Sequence, residues 1–350
     1  MTTASIAAAT MGSHLRIGGL QLDSAVLIAP MVGITDAPCR QIAHEFGAGL
    51  VSTEMVAADA VVRDVEPTLA LLDMRRQPFP VAAQLVGSDP QVMAAAAQAC
   101  AERGAAVVDI NLGCPVPRVV NRGSGAALAC DIAATAAVVE AMVNAVDVPV
   151  TAKMRLGWDH STINAPQLAR ALQDVGAAAV TVHGRTRCQK YAGNSDWVEI
   201  ARVREAVDIP VIGSGDVDDV SRAAARIRSG IVDGVVVARA MLGNFWFVRQ
   251  AVHFLRTGEL LSDLDFAARI ELTRRHLEML CAHYGDERAL RIGRKYVAWT
   301  VRGCDGAARL RAQVQDLDSR ERLHSLLDQA LAAGQAPQGF FRPVFTSGEG

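Results

Sequence analysis

Short apolar runs that end on a polar or glycine-bearing edge recur along the chain. They span Val26 to Met31, Leu50 to Met55, Val81 to Gly87, Val107 to Gly113, Val150 to Gly157, Ala179 to Arg185, Pro210 to Asp216 and Gly234 to Ala240. Such runs, rich in β-branched residues, suit strands covered on both faces, as in a parallel sheet. Between them lie helix-like stretches at 36–46, 57–72, 89–103, 131–145, 163–175, 196–207, 218–229 and 244–256. Glycine-bearing stops such as 46–49, 103–106 and 175–178 end a helix before the chain turns back into the sheet. Eight strand–helix alternations predict a closed parallel (β/α)₈ TIM barrel, with an open doubly wound sheet as the structural alternative. After residue 257 the strand signal stops, and 264–284, 287–302 and 317–333 read as helices. The expected organisation is a disordered leader over 1–15, a barrel over 16–256, a small α-helical domain over 257–335 and a flexible tail over 336–350.

Length agrees with this division, since 350 residues exceed the ~250 of a typical barrel. Hydrophobic residues make up 51% of the chain, enough for a large core, and a net charge of −2 gives no global attraction to nucleic acid. Affinity for an anionic partner must then come from a local patch. The seven cysteines are odd in number, scattered and without a C-x-x-C pair. That suits a reducing compartment and argues against a disulfide framework or a zinc site, so no metal is expected. The N-terminal stretch lacks a basic region ahead of its apolar residues, and no apolar run reaches the ~18 residues of a membrane span. The expected compartment is the cytoplasm.

In a barrel the residues at the carboxyl ends of the strands face the active site. Here they are Met31, Glu54, Gln84, Asn111, Cys114, Lys153, Arg155, His183, Arg185, Ser214, Asp216 and Arg239. Lys153 stands out because the chain has three lysines against 32 arginines, and an ammonium inside a two-sided strand needs an anion or an electron-rich ring opposite it. The plainer alternative is an ion pair with Glu54 or Asp109. Gln84 offers donors and an acceptor that suit the imide edge of a heterocycle, or it is a satisfied core amide. His183 and Arg185, in the run HGRTR, suit anion contact. Ser214-Gly215-Asp216 and Ala238-Arg239 end the last two strands, where such barrels usually bind phosphate. Cys114 follows the fourth strand in a loop shaped by Gly113 and Pro115; a thiol with an ordinary pKa near ~8.5 is mostly protonated at neutral pH and can serve as an acid. Cys39, Cys100 and Cys130 fall in helix-like segments and are read as packing residues. No metalloprotease motif and no G-x-G-x-x-G is present, which disfavours a Rossmann fold.

Five ordered segments, Ala29-PMVGITDAPCR, Asp109-INLGCPVPRVV with Gly123-SGAAL, Ala152-KMRLGW, Val182-HGRTR and Gly213-SGDV, together resemble the tRNA-dihydrouridine synthases, most closely their bacterial B-type branch. The likeness runs from about residue 17 to 250 and continues more weakly into the helical part. It implies FMN as cofactor, with Ala29, Pro30 and Met31 lining the isoalloxazine and Gln84 and Lys153 at its polar edge. His183, Ser214, Gly215, Asp216, Ala238 and Arg239 would hold the phosphate and ribityl tail. Cys114 would be the proton donor, with Asn111 near the target base and Arg185 near the flavin or the target base. The chain departs from the family pattern at Arg118 (usually lysine), Ser214 (asparagine), Ala238 (glycine) and Phe245 (proline).

The implied reaction reduces the C5–C6 double bond of uridine, hydride passing from flavin N5 to C6 and a proton from Cys114 to C5, with NADPH restoring the flavin. A base in folded tRNA must be flipped to reach a barrel mouth. Arg288, Arg291, Lys295, Arg302 and Arg309 are spaced for one face of a helix if it continues that far, with Gly303 and Gly306 expected to interrupt it; with Asp305 the sole acid between 288 and 311 they suit phosphate contact, a solvated basic face being the plainer alternative. The protein is expected to be a monomer. Rival readings are a flavin barrel acting on a small molecule (dihydroorotate dehydrogenase-like), a Schiff-base aldolase using Lys153, and a non-catalytic RNA-binding module.

Overall fold

The computed structural model describes residues 14–334. The tail expected over 336–350 lies outside that range, as does the leader apart from His14 and Leu15. The chain begins with an antiparallel hairpin, β1 (Leu15–Ile17) and β2 (Leu20–Leu22). The eightfold pattern does not announce it, although Leu15, Ile17, Leu20 and Leu22 alternate around Gly18-Gly19. The side chain of Ile17 is 1% exposed and closes the barrel from below, where it shares an internal cavity with Leu27 and Leu50.

The barrel strands are β3 (Val26–Ile28), β4 (Val51–Ser52), β6 (Val81–Val86), β7 (Val107–Leu112), β8 (Val150–Arg155), β9 (Ala179–His183), β10 (Val211–Ser214) and β11 (Gly234–Val237). A two-residue strand, β5 (Val56–Ala57), also pairs with β6. The order β3-β11-β10-β9-β8-β7-β6-β4 is parallel throughout. A parallel bridge between Leu27 and Leu50, with the Ile28 N–H donating to Leu50 O at 2.9 Å, closes the ring. The open-sheet alternative is thereby set aside. Val, Ile and Ala residues of these strands are buried on both faces, between the interior and the helices outside.

The outer helices are α1 (Ala37–Glu45), α2 (Ala58–Val62), α3 (Glu66–Leu71), α4 (Pro90–Glu102), α5 (Pro117–Val120), α6 (Ile132–Val143), α7 (Ala165–Asp174), α8 (Trp197–Ala206), α9 (Val220–Arg228) and α10 (Trp246–Thr257). Aspartates 36, 89, 131, 196 and 219 cap five of them by accepting from first-turn N–H groups. Two expectations need correction. The helix expected over 57–72 is broken in two, because Asp64 adopts φ 52° and Pro67 restarts the chain as α3. The strand expected over 50–55 ends at Ser52, since the Thr53 hydroxyl takes the Gln84 N–H at 3.1 Å and donates to Glu54 O at 2.8 Å.

Four further helices, α11 (Phe266–Tyr284), α12 (Asp286–Thr300), α13 (Ala307–Gln313) and α14 (Arg320–Ala333), enclose a separate apolar cluster around Leu277, Leu280, Val297, Leu323 and Leu327. The basic helix does not run on to Arg309, for α12 stops at Thr300 and Gly306 turns the chain with φ 69°. This helical part sits on the barrel through Arg275 and Glu45 at 2.6 Å, Tyr296 Oη to Ile34 O at 3.1 Å, and Lys295 to Gly33 O. Phe245, one of the departures from the family pattern, packs edge-on against His276 in the same junction. Among the described residues no helix is long and apolar enough to cross a membrane.

Candidate active site

Alternation along the strands turns every second residue inward, and the parallel register then sets unlike polar groups side by side. Gln84 lies opposite Asp109, Asn111 opposite Lys153, Arg155 opposite His183, and His183 opposite Ser214. A polar belt thus crosses β6 to β10 near the carboxyl ends. Below it lies a small cavity lined by Leu27, Asp109, Thr151, Lys153 and Thr181 among others.

Among the described residues Lys153 makes no ion pair with a carboxylate. Burial first, then the Arg155 guanidinium, lower its pKa to about 8, with the Asp109 carboxylate opposing them. Lys153 pairs in register with Asn111 of β7, and Asn111 Oδ1 accepts the Cys114 N–H, so the lysine and the thiol-bearing loop stand at the same end of two adjacent strands. Glu54 is engaged elsewhere, accepting the Gly33 N–H at 2.6 Å. Asp109 accepts from Thr151 and Gln84, both at 2.7 Å. Burial pushes its carboxyl up to about 6, so it is ionised at neutral pH.

The Cys114 loop is anchored on both sides. Asn111 Oδ1 accepts the N–H groups of Gly113 at 3.1 Å and Cys114 at 2.8 Å, while Arg155 Nε donates to Gly113 O at 2.8 Å. On the other side the Ala126 N–H donates to Cys114 O at 3.2 Å. Gly125 fits there at φ 61° because a Cβ would crowd Val119 at 2.8 Å and Cys114 O at 3.0 Å. Cys114 itself is half-buried.

On the opposite side of the mouth His183 is 8% exposed. Burial, followed by Arg155, Lys153, Arg185 and Arg239, holds its pKa well below 6.5, so it is neutral. Its Nε2 faces Arg185 Nη1 at 3.3 Å. A guanidinium only donates, so Nε2 accepts and Nδ1 carries the proton. Arg185 does not reach the open mouth. It donates to Ala192 O, Gly193 O, Ser195 Oγ and both oxygens of Asp216, with its side chain 3% exposed. Asp216 (φ 49°) also accepts the Ser195 N–H and pairs with Arg239 at 3.4 Å. Gly215, at φ 104°, passes so near Ser195 that a Cβ would collide with its hydroxyl. Ala238 lies at φ −128° and ψ −100°, outside the left-handed region that calls for glycine.

Ala29 is 5% exposed, and the Met31 carbonyl receives the N–H groups of Ile34 and Thr35, both at 3.0 Å, which closes the loop after β3 under the mouth. Tyr191, 52% exposed and not singled out by the apolar pattern, places its ring 5.7 Å from the Arg155 and 5.4 Å from the Arg239 guanidinium. Its signal was an exposed aromatic in a loop leaving a strand end. Cys130, read as a packing residue, is exposed, whereas Cys39 and Cys100 are buried.

The remaining basic residues are dispersed. Arg288, over the Tyr284 ring at 4.4 Å, and Arg291, 3.4 Å from Glu287, are exposed at the start of α12. Lys295 points to Gly33 O, and Arg302 is half-buried in a 3₁₀ turn.

The donor set fits an anionic, flat heterocycle carrying a phosphate. An ammonium and an amide stand at one side, a neutral N–H donor and Arg239 at the other, and glycine keeps the backbone open between them. Comparison with known proteins agrees. The family model described as dihydrouridine synthase (Dus) matches residues 27–335. A tRNA-dihydrouridine synthase B of Xanthomonas campestris pv. campestris is 39% identical over 326 residues, covering 92% of this chain and 98% of its own. A probable tRNA-dihydrouridine synthase of Rickettsia bellii is 40% identical over 301 residues, covering 86% and 92%. Among solved structures, a morphinone reductase mutant in complex with tetrahydroNAD superposes with TM-score 0.54 at 15% identity, covering 74% of this chain and 93% of its own. Histamine dehydrogenase from Rhizobium sp. 4-9 gives 0.55 at 14%, covering 78% and 51%; these two share the fold. With five family segments meeting at one barrel mouth and a family model spanning nearly the whole described chain, this chain belongs to the dihydrouridine synthase family.

Proposed function

We propose that the chain reduces uridine in tRNA to 5,6-dihydrouridine, with FMN as bound cofactor, NADPH as reductant and Cys114 as proton donor. The observation that carries this reading is the placing of Lys153 and the Cys114 loop at the ends of the adjacent strands β8 and β7, with Lys153 in register with Asn111, whose Oδ1 accepts the Cys114 N–H at 2.8 Å. When bound, FMN supplies the hydride for uridine C6. Lys153 and Gln84 face the ring's polar edge, the ammonium favouring negative charge there. Ala29, Pro30 and Met31 form the wall beneath the ring. His183 donates through Nδ1–H, and Ser214, Gly215, Asp216, Ala238 and Arg239 form the phosphate end. Cys114 holds the proton for C5, and Asn111 steadies the loop that carries it. Arg185 serves the site by fixing Asp216 and the segment 192–195, not by touching the base. Arg288, Arg291 and Arg302 of the helical part contact tRNA phosphates, while Lys295 orders the loop at Gly33. On this reading the chain works as a monomer in the cytoplasm, with 16–256 holding the cofactor and 257–335 the tRNA.

Anaerobic half-reactions test it. Cys114→Ala should slow re-oxidation of the reduced enzyme by tRNA roughly 10²–10⁴-fold, the usual worth of a positioned acid, while reduction by NADPH keeps its rate. Re-oxidation at the parent rate would overturn the role of Cys114. Re-oxidation by a free pyrimidine with tRNA inert would favour the small-molecule reductase.

A further inference from the structure

Asp109 lies on β7 with 8% of its surface exposed, away from the thiol, yet a directed chain of hydrogen bonds joins the two. An ionised carboxylate only accepts and a backbone N–H only donates, so each fixes the sense of any amide it meets. Asp109 Oδ2 takes Gln84 Nε2–H at 2.7 Å, which turns Gln84 Oε1 towards Asn111. Asn111 Nδ2 donates to that oxygen at 2.9 Å, leaving its Oδ1 for Gly113 N–H and for Cys114 N–H at 2.8 Å. The two amides fit between their fixed ends in one order only. Thr151, donating to Asp109 Oδ1 at 2.7 Å, steadies the inner end.

We propose that Asp109 is a positioning residue: through Gln84 and Asn111 it orients the loop that carries Cys114, and so aims the thiol at the target base. The inference rests on the reading of Cys114 as the acid. Without the carboxylate, Gln84 Nε2–H loses its acceptor at the inner end and the Gln84 side chain is free to swing away from Asn111. Asn111 Nδ2 then loses the oxygen that holds it, and with it the fixed placing of Oδ1 under the Gly113 and Cys114 N–H groups. Asp109→Asn keeps the order intact, because Oδ1 still accepts from Gln84 and the new NH₂ meets the Thr151 hydroxyl, which turns to accept it.

The experiment is single-turnover re-oxidation of the FMN-loaded, reduced enzyme by tRNA, alongside reduction by NADPH. It compares Asp109→Leu, Asp109→Asn, Cys114→Ala and the double variant Asp109→Leu/Cys114→Ala. Asp109→Leu should slow the tRNA step roughly 10–100-fold, as expected for a reacting group displaced by about an ångström, with NADPH reduction unchanged. Asp109→Asn should stay within about 3-fold of the parent. In the Cys114→Ala background Asp109→Leu should have no further effect. An equal slowing in that background, or an Asn variant as slow as the Leu variant, overturns the relay. If Asp109→Leu does not fold, Asn111→Ala breaks the chain one link further out, and the same loss of additivity with Cys114→Ala is required. Slow Cys114→Ala with fast Asp109→Leu sinks the relay alone; fast Cys114→Ala sinks the reading of the acid beneath it.

Discussion

Lys153 occupies a costly position for an ammonium. Burial and the Arg155 charge lower its pKa to about 8, so the free protein loses this charge as pH rises above that value. An anion bound beside it favours the protonated form, so binding above pH 8 requires uptake of a proton. The affinity of the apoprotein for FMN should therefore fall as pH rises through 8, by no more than tenfold per pH unit, and Lys153→Met should flatten the dependence. Titration of flavin fluorescence at pH 7 and 9.5 checks this; a parent affinity that does not change would contradict it. Gln84, Lys153 and Cys114 were legible in the sequence because polar groups at the ends of two-sided strands need a reason. The partners of Arg185 were not, for Asp216 and Ser195 reach it only through the fold. Of the run HGRTR, Arg185 is a buried clamp on Asp216, and His183 is a neutral N–H donor.

At the scale of elements, α12 illustrates how helical spacing alone misleads. Arg288, Arg291 and Lys295 share its periodicity, yet Lys295 reaches down to the Gly33 carbonyl beside Tyr296, which bonds Ile34 O at 3.1 Å. These two contacts pin the loop after β3, whose Val32 is 66% exposed. Arg288→Ala or Arg291→Ala should therefore reduce the slope of log K against log salt for tRNA binding by about 1, as for a lost phosphate contact. Lys295→Met should leave that slope unchanged. Filter binding across a salt series measures both, and an equal loss of slope for Lys295→Met would place it on a phosphate. All eight barrel strands could be read from their apolar runs, whereas the early end of β4 could not, because it depends on a Thr53 hydroxyl competing for one N–H. The break before α3 lies at Asp64 and Pro67, inside an otherwise continuous apolar periodicity.

At the scale of the molecule, the closed barrel concentrates Lys153, Arg155, Arg185 and Arg239 around His183, although the chain as a whole carries a net charge of −2. An anionic cofactor and a polyanionic substrate are thus served by local fields rather than by overall charge. The helical part rests on the loop after β3 at the same end, through Lys295 and Tyr296. The most direct measurement is the dihydrouridine content, by mass spectrometry, of tRNA from cells lacking this gene and carrying either the parent chain or Cys114→Ala. The account predicts that one or more uridines lose the 2-dalton gain of reduction in the deletion, recover it with the parent and fail to recover it with Cys114→Ala. Full recovery with Cys114→Ala, or a deletion with unaltered tRNA, would contradict it.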